Sequence, residues 1–141
     1  ELLELAEKGD PKAVDLMMDW AHGPGGHFGG HPVPGLHHMN LGGTIVINGS
    51  IKDNLGVDFR ACDNYKNGFE AAKKIKCPTI NILGAKDRMC PVKEGQKLAD
   101  NIEGSEVEII ENCGHMILLE EASKALSILK KFIRKNHPVD N

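Results

Sequence analysis

Two short apolar runs, each leading into a loop with a titratable side chain, constrain the fold of this chain most. Thr79–Leu83 precedes a Gly-containing loop that carries Asp87. Glu106–Ile110 precedes a second such loop, which carries His115, 28 residues beyond the aspartate. A helix-patterned stretch separates the two runs, and this order predicts two parallel strands joined by a crossover helix. Because parallel strands end at the same edge of a sheet, we expect Asp87 and His115 to lie close together there.

Apolar spacing around the two runs predicts the helices that accompany them. Thr79–Leu83 is short and mostly apolar, which is typical of a parallel strand covered on both faces. The helix between the strands is predicted to turn one apolar side toward them, made of Val92, Leu98, Ala99 and Ile102. After His115 a final helix is predicted to pack on the sheet through a stripe made of Leu118, Ala122, Ala125, Leu129 and Phe132.

Asp and His in these loops form a pair with a well-defined chemistry. A carboxylate on one imidazole nitrogen fixes the tautomer and direction of the ring, which lets the other nitrogen take a proton from a hydroxyl. Taken singly, each residue has a simpler interpretation. Asp87 would cap the following helix, and His115 would be a hydrogen-bonded loop histidine. The combination, with Gly84 and Gly114 in place, favours catalysis.

The two motifs resemble the C-terminal part of an α/β-hydrolase of bacterial type. They read Gly84-Ala-Lys-Asp-Arg-Met-Cys-Pro91 and Cys113-Gly-His-Met116. The resemblance implies a partial α/β-hydrolase fold, with the last two parallel strands and flanking helices preceded by a mainly helical lid segment. It divides the chain into a partial lid, residues 1–67, with a Gly/His/Pro-rich loop at 22–43, and part of the hydrolase core, residues 68–141.

The same resemblance implies a hydrolase that cleaves an ester or related bond with a Ser-His-Asp triad. Asp87 and His115 would be its acid and base. Met89 and Met116, beside them, are candidates for lining a substrate pocket, although methionine is equally common as a core filler. No metal or organic cofactor is implied. The nucleophile is missing, because no serine of the chain lies in a Gly-x-Ser-x-Gly turn.

The start of the chain agrees with an incomplete enzyme. Residue 1 is Glu, and residues 1–8 already read as a helix that ends at Gly9. We therefore expect a fragment that is inactive alone and forms a homo-oligomer or associates with the missing N-terminal half.

Asp10-Pro11 predicts a second helix, with Asp as N-cap and Pro at the first helical position. Residues 44–49 favour a strand by composition and lid helices by resemblance.

Two further helices follow from apolar spacing and from proline. Leu55, Phe59 and Cys62 recur at helical spacing and predict a helix from Asp53 to Tyr65. A short helix from Glu70 to Ile75 is predicted to stop before Pro78, because the residue preceding a proline is disfavoured in helical conformation.

Composition excludes several classes of function. Seventeen basic and 20 acidic residues give a formal net charge of −3, with one Trp and one Tyr, so neither a basic face nor stacking aromatics indicate nucleic acid. No apolar run reaches the ~18 residues of a membrane span. The partner expected is a small-molecule substrate. Four cysteines without a Cys-x-x-Cys pair are typical of reduced thiols, which predicts a cytoplasmic location.

Three other functions fit parts of the sequence. Five histidines between residues 22 and 38 have spacings that permit a zinc or nickel chelate: His22, His27, His31, His37 and His38. Cys113 or Cys90 would act as nucleophile beside His115 in a second alternative. A third is a hydrolase-like module that binds a partner without catalysis.

Overall fold

The computed structural model describes residues 1–23 and 38–137. The chain begins with two short helices, α1 (Leu2–Lys8) and α2 (Lys12–Ala21). Gly9 ends α1 in the left-handed conformation, with φ 73°, as the sequence predicts. The Lys12 amide donates to the Asp10 carboxylate at 3.0 Å, so Asp10 provides a hydrogen-bond acceptor for a backbone amide in the first turn of α2. The helix itself begins after Pro11, one residue later than predicted.

A third helix replaces part of the predicted loop. Helix α3 covers His38–Asn48, so the prediction of a loop through residue 43 is wrong from residue 38 onward, and the strand alternative for residues 44–49 is excluded. Residues 24–37, with His27, His31 and His37, lie outside the described residues. The β-branched run before Asn48 favours a strand locally. Packing of Val46 onto the apolar core of the first helices decides for helix instead.

The predicted helix from Asp53 to Tyr65 is present in two parts. A π-helical segment, Ile51–Gly56, leads directly into α4 (Val57–Asn64). Together with α1 to α3 these elements form one apolar core. Its buried centre is Ala6, Ala13, Val14 and Ile51, and partly buried side chains pack around it, namely Leu2, Leu5, Met17, Met18, Val46, Leu55 and Phe59.

The second half contains the predicted strand, helix and strand. Helix α5 (Gly68–Ala72) is followed by β1 (Ile80–Gly84), α6 (Val92–Ala99) and β2 (Glu106–Ile110). The two strands are parallel, with Ile80 opposite Glu106 and Gly84 opposite Ile110. The loops that follow β1 and β2 therefore leave the same edge of the sheet.

The chain ends in two helices, α7 (Ile117–Glu120) and α8 (Ala122–Asn136). The predicted apolar stripe is only partly correct. Ala125 is buried, and Leu129 and Phe132 are half-buried, whereas Leu118 and Ala122 are exposed. Leu118 is separated from the rest of the stripe by the break between the helices at Glu121, which has the non-helical angles φ −140° and ψ 45°. Ala122 is the first residue of α8.

Cover of the sheet is also less complete than predicted. The residues of β1 before Gly84 are half-buried, and Ile109 of β2 is exposed. Leu98, predicted to face inward from α6, is exposed as well. Two strands alone offer the helices a narrow surface, which leaves apolar side chains uncovered. Among the helices of residues 1–23 and 38–137, none has both the length and the apolarity to cross a membrane.

Candidate active site

The site lies where two loops meet at the carboxyl ends of the strands. The Asp87 loop (Gly84–Pro91) follows β1, and the His115 loop (Cys113–Met116) lies just beyond β2. The Lys86 amide donates to the Cys113 carbonyl at 2.8 Å. A Cβ atom on Gly84 would lie 2.1 Å from the Gly114 carbonyl oxygen, so this contact requires glycine. Backbone-to-backbone packing thus sets the distance between the loops.

Asp87 and His115 are hydrogen-bonded to each other. The Nδ1 atom of His115 lies 2.9 Å from Oδ2 of Asp87. The other carboxylate oxygen, Oδ1, accepts the amides of Met89 and Cys90, both at 2.8 Å. The Asp87 side chain is 7% exposed and the His115 side chain 43%. A buried, oriented carboxylate therefore holds an imidazole that is open to solvent.

Helix α2 ends against the His115 loop. The amides of His115 and Met116 both donate to the carbonyl of Ala21, at 2.9 and 3.1 Å. On the other loop, Arg88 forms an ion pair with Asp19 of α2, with Nη1 and Oδ2 2.6 Å apart. Both loops of the site are therefore attached to the end of one helix from the first part of the chain.

Glu120 adds a contact that sequence reasoning missed. Its Oε2 atom accepts the amides of Gly23, at 2.8 Å, and Gly114, at 3.0 Å. Gly23 and Glu120 are 97 residues apart, and no spacing or motif in the sequence connects them. Only the tertiary structure identifies Glu120 and the Ala21 carbonyl as neighbours of the pair.

The two methionines proposed for a substrate pocket flank the pair. Met89 and Met116 are both half-buried. Two cavities of the described residues lie elsewhere. One is lined by the first helices around Lys52, and the other by the strands and α8 around Phe132, so neither includes a methionine of the site.

The cysteines near the site are poor nucleophiles. Burial raises the pKa of the Cys113 thiol to about 11, and the carboxylates of Glu120, Glu121 and Asp87 add to the effect. Burial and then Asp87 raise the pKa of Cys90 as well. Because the thiolate is the reactive form, the geometry disfavours a cysteine mechanism. All four cysteines are free thiols.

Metal ligation finds no support in the described part of the chain. No three His, Cys, Asp or Glu side chains within residues 1–23 and 38–137 come together as a metal site requires. His22 is buried, and its Nδ1 atom donates to the Met18 carbonyl at 2.7 Å. The predicted ligands His27, His31 and His37 lie outside this part, as does the side chain of His38.

Comparisons with known sequences identify hydrolases as relatives. No protein-family model matches the chain. A 68-residue segment is 40% identical to monoacylglycerol lipase ABHD6 of Bos taurus, covering 48% of this chain and 20% of that protein. A 64-residue segment is 33% identical to a proline iminopeptidase of Lactobacillus crispatus, covering 45% of this chain and 22% of that protein. The matched segments thus span about one fifth of these relatives.

Solved structures resemble nearly the whole chain. A thermophilic esterase superposes with a TM-score of 0.78 and 28% identity over 97% of this chain and 51% of the esterase. MGS-M2, an α/β-hydrolase enzyme from a deep-sea metagenome library, gives a TM-score of 0.71 and 18% identity over 99% of this chain and 50% of its own. The chain therefore has the α/β-hydrolase fold, of which it spans about half, including two parallel strands that end in the Asp87 and His115 loops.

Proposed function

We propose that this chain supplies the acid and the base of a Ser-His-Asp triad in an esterase-like hydrolase. The observation that carries the proposal is the hydrogen bond of 2.9 Å between His115 Nδ1 and Asp87 Oδ2. The pair lies at the carboxyl ends of parallel strands, where open α/β sheets hold their sites. The relatives support acyl transfer, since they include a lipase, an esterase and a peptidase.

The nucleophile would come from a segment that this chain does not include. The chain has four serines, and none lies in the turn that such enzymes use. Ser50 donates to Asp53, and Ser105 donates to the Ala99 carbonyl. Ser123 and Ser127 lie on α8. None of these hydroxyls forms a hydrogen bond with His115, whose side-chain partner is Asp87.

In the complete enzyme, Asp87 would hold the proton on Nδ1 of His115, so that Nε2 is the free base. Nε2 would take the proton of the serine hydroxyl as the hydroxyl attacks the acyl carbon, and then deliver it to the leaving group. It would next deprotonate water for deacylation. Asp87 would stabilise the imidazolium formed in each half-reaction. Asp87 accepts two backbone amides and is thereby oriented before the reaction begins.

We further propose a small-molecule substrate with an ester or related bond, a lid role for residues 1–67, and a cytoplasmic location consistent with four free thiols. No nucleic-acid or membrane partner is part of the proposal. Met89 and Met116 would border the acyl group, because they neighbour the pair and are half-buried. Uncovered apolar side chains on the strands and last helices favour association with the remaining half of the enzyme or with a second copy.

Substitutions in the complete enzyme test the triad. His115→Ala should remove nearly all turnover of p-nitrophenyl acetate, and Asp87→Asn should lower kcat by up to roughly 10⁴-fold, because the amide no longer enforces the tautomer. His137→Ala, an exposed histidine after α8, is the matched control and should leave turnover unchanged.

This chain alone should not turn over the ester, since it lacks the nucleophile and an oxyanion site, of which one donor is often worth ~10²–10³ in rate. Undiminished turnover in the His115→Ala enzyme would exclude the triad. A complete protein that is folded but inactive toward esters, lactones and amides would favour a binding module instead.

A further inference from the structure

Glu120 is the last residue of α7, and one oxygen atom of its carboxylate accepts hydrogen bonds from two backbone amides that lie in different segments of the chain. Oε2 accepts from Gly114, the residue before His115, and from Gly23, two residues after the end of α2. Hydrogen bonds to a carboxylate are roughly twice as strong as those between neutral groups. One side chain therefore connects the His115 loop to the segment that follows α2.

The backbone around His115 is fixed at consecutive positions. The Cys113 carbonyl accepts a hydrogen bond from the Lys86 amide, and the Gly114 amide donates one to the Glu120 carboxylate. The amides of His115 and Met116 both donate to the Ala21 carbonyl. Of these partners, Glu120 is the only side chain. A substitution there changes one hydrogen-bond acceptor without altering the backbone partners of the loop.

Packing alone does not account for a carboxylate in this place. The second oxygen, Oε1, is buried and accepts no hydrogen bond from the described residues. A buried acceptor without a donor is costly, so an apolar side chain of the same shape would be favoured if the position served packing only. Gly23 and Gly114 are also in close contact, since a Cβ atom on Gly114 would lie 2.2 Å from the Gly23 nitrogen. The two amides share a single acceptor at this contact.

We propose that Glu120 is a positioning residue, whose carboxylate holds Gly23 and Gly114 together and thereby directs the imidazole of His115 onto Asp87. Its importance for catalysis rests on the proposed triad, whereas the geometric effect on His115 does not. The effect requires an acceptor oxygen at the end of a side chain of this length. Glu120→Gln keeps such an oxygen, and Glu120→Met has the same shape without an acceptor.

Nuclear magnetic resonance of the chain tests the geometric effect. The Nδ1–H proton of His115, assigned by its absence in His115→Ala, should be observed in the wild type and in Glu120→Gln, because its hydrogen bond to Asp87 protects it from exchange. It should broaden or disappear in Glu120→Met. Glu121→Gln is the matched control, since the side chain of the neighbouring Glu121 forms an ion pair with Lys124 at 2.7 Å and accepts no hydrogen bond from the amides of the His115 loop.

Kinetics of the complete enzyme test the catalytic consequence. Glu120→Met should lower kcat for p-nitrophenyl acetate by roughly 10²-fold with little change in KM, as expected for a misplaced base. Glu120→Gln should recover most of this loss. Should Glu120→Met fail to fold, Glu120→Asp replaces it, because the shorter side chain keeps the charge but cannot reach both amides.

The outcomes separate this inference from the proposed function. An unchanged His115 signal and unchanged kcat in Glu120→Met would overturn the positioning role, even if His115→Ala abolishes turnover. Loss of the His115 signal in Glu120→Met would support positioning even if His115→Ala retains activity, in which case only the triad is wrong. Equal losses in Glu120→Gln and Glu120→Met would also overturn the role of the acceptor oxygen.

Discussion

Contacts within this chain hold the two loops of the site in place, whereas the outer face of the last helix is left uncovered. The Asp87 and His115 loops pack backbone against backbone, and Cys113 of the His115 loop is fully buried. On α8, Leu126 and Ile133 are 52% and 54% exposed, and Ala125 is the helix residue that is buried. Hydrogen bonds and close contacts within this chain fix the loops. The helix face keeps apolar surface that nothing in the described residues covers.

This difference separates what the chain can fix alone from what needs a further covering surface. The relative position of Asp87 and His115 depends on close contacts, all of which are made within this chain. Burial of the sheet and of α8 depends on area, and two strands supply little of it. We therefore expect substitutions in the loops to change stability strongly, and substitutions on the outer face of α8 to change association instead.

The largest effect is expected for Gly84→Ala. A Cβ atom at this position would meet the carbonyl oxygens of Gly114 and Cys113, at 2.1 and 2.6 Å, and backbone atoms cannot move aside as a flexible side chain can. Urea denaturation should show a loss of about 3 kcal/mol or more, at the upper end of overpacking effects. Gly68→Ala is the control, because its nearest neighbour is the Tyr65 ring at 3.5 Å, and it should be neutral or slightly stabilising. Equal effects of the two substitutions would contradict the backbone contact.

A second effect of about 2 kcal/mol is expected from the Cys113 thiol at high pH. Its pKa is raised from an ordinary 9.0 to about 11 in the folded chain. Well below pH 9 the thiol is protonated in both the folded and the unfolded chain, so it does not make the free energy of unfolding depend on pH. As the pH rises from about 9 toward 11, the unfolded chain ionises first, so the free energy of unfolding decreases.

The measurement is the free energy of unfolding in urea at about pH 8 and pH 10.5, for the wild type and Cys113→Ala. The variant should lose about 2 kcal/mol less than the wild type over this interval. Cys77→Ala removes an exposed thiol and should follow the wild type. Parallel pH profiles of Cys113→Ala and wild type would show that the site is less well packed than the structure indicates.

The smallest effect on stability is expected on α8. Leu126→Lys with Ile133→Lys should change the free energy of unfolding by at most about 0.5 kcal/mol, because both side chains are exposed. Light scattering should nevertheless show a lower average mass than for the wild type, since the substitutions place charge on the face that we expect to associate. Ser123→Lys with Ser127→Lys adds the same charge at exposed polar positions of the same helix and should leave the mass unchanged. A wild-type chain that stays monomeric at high micromolar concentration would exclude association through this face.

Local patterns predicted most of the elements of this fold. Gly9 and Asp10 marked the boundary between the first two helices, and the apolar runs after Thr79 and Glu106 predicted β1 and β2. The predictions failed where packing competes with local preference. Residues 44–47 are all β-branched but helical, because Val46 packs onto the first helices. The continuous stripe on the last helix was wrong because the backbone breaks at Glu121.

The sequence by itself determined that Asp87 and His115 share one edge of a sheet, because each follows a strand and the strands are parallel. Only the tertiary structure decided how the pair is held. The Ala21 carbonyl, the Arg88–Asp19 ion pair and the Glu120 carboxylate all reach the site from positions remote in sequence. Periodicity reports contacts within an element and between neighbouring elements, whereas a hydrogen bond across 97 residues depends on how the elements pack in three dimensions.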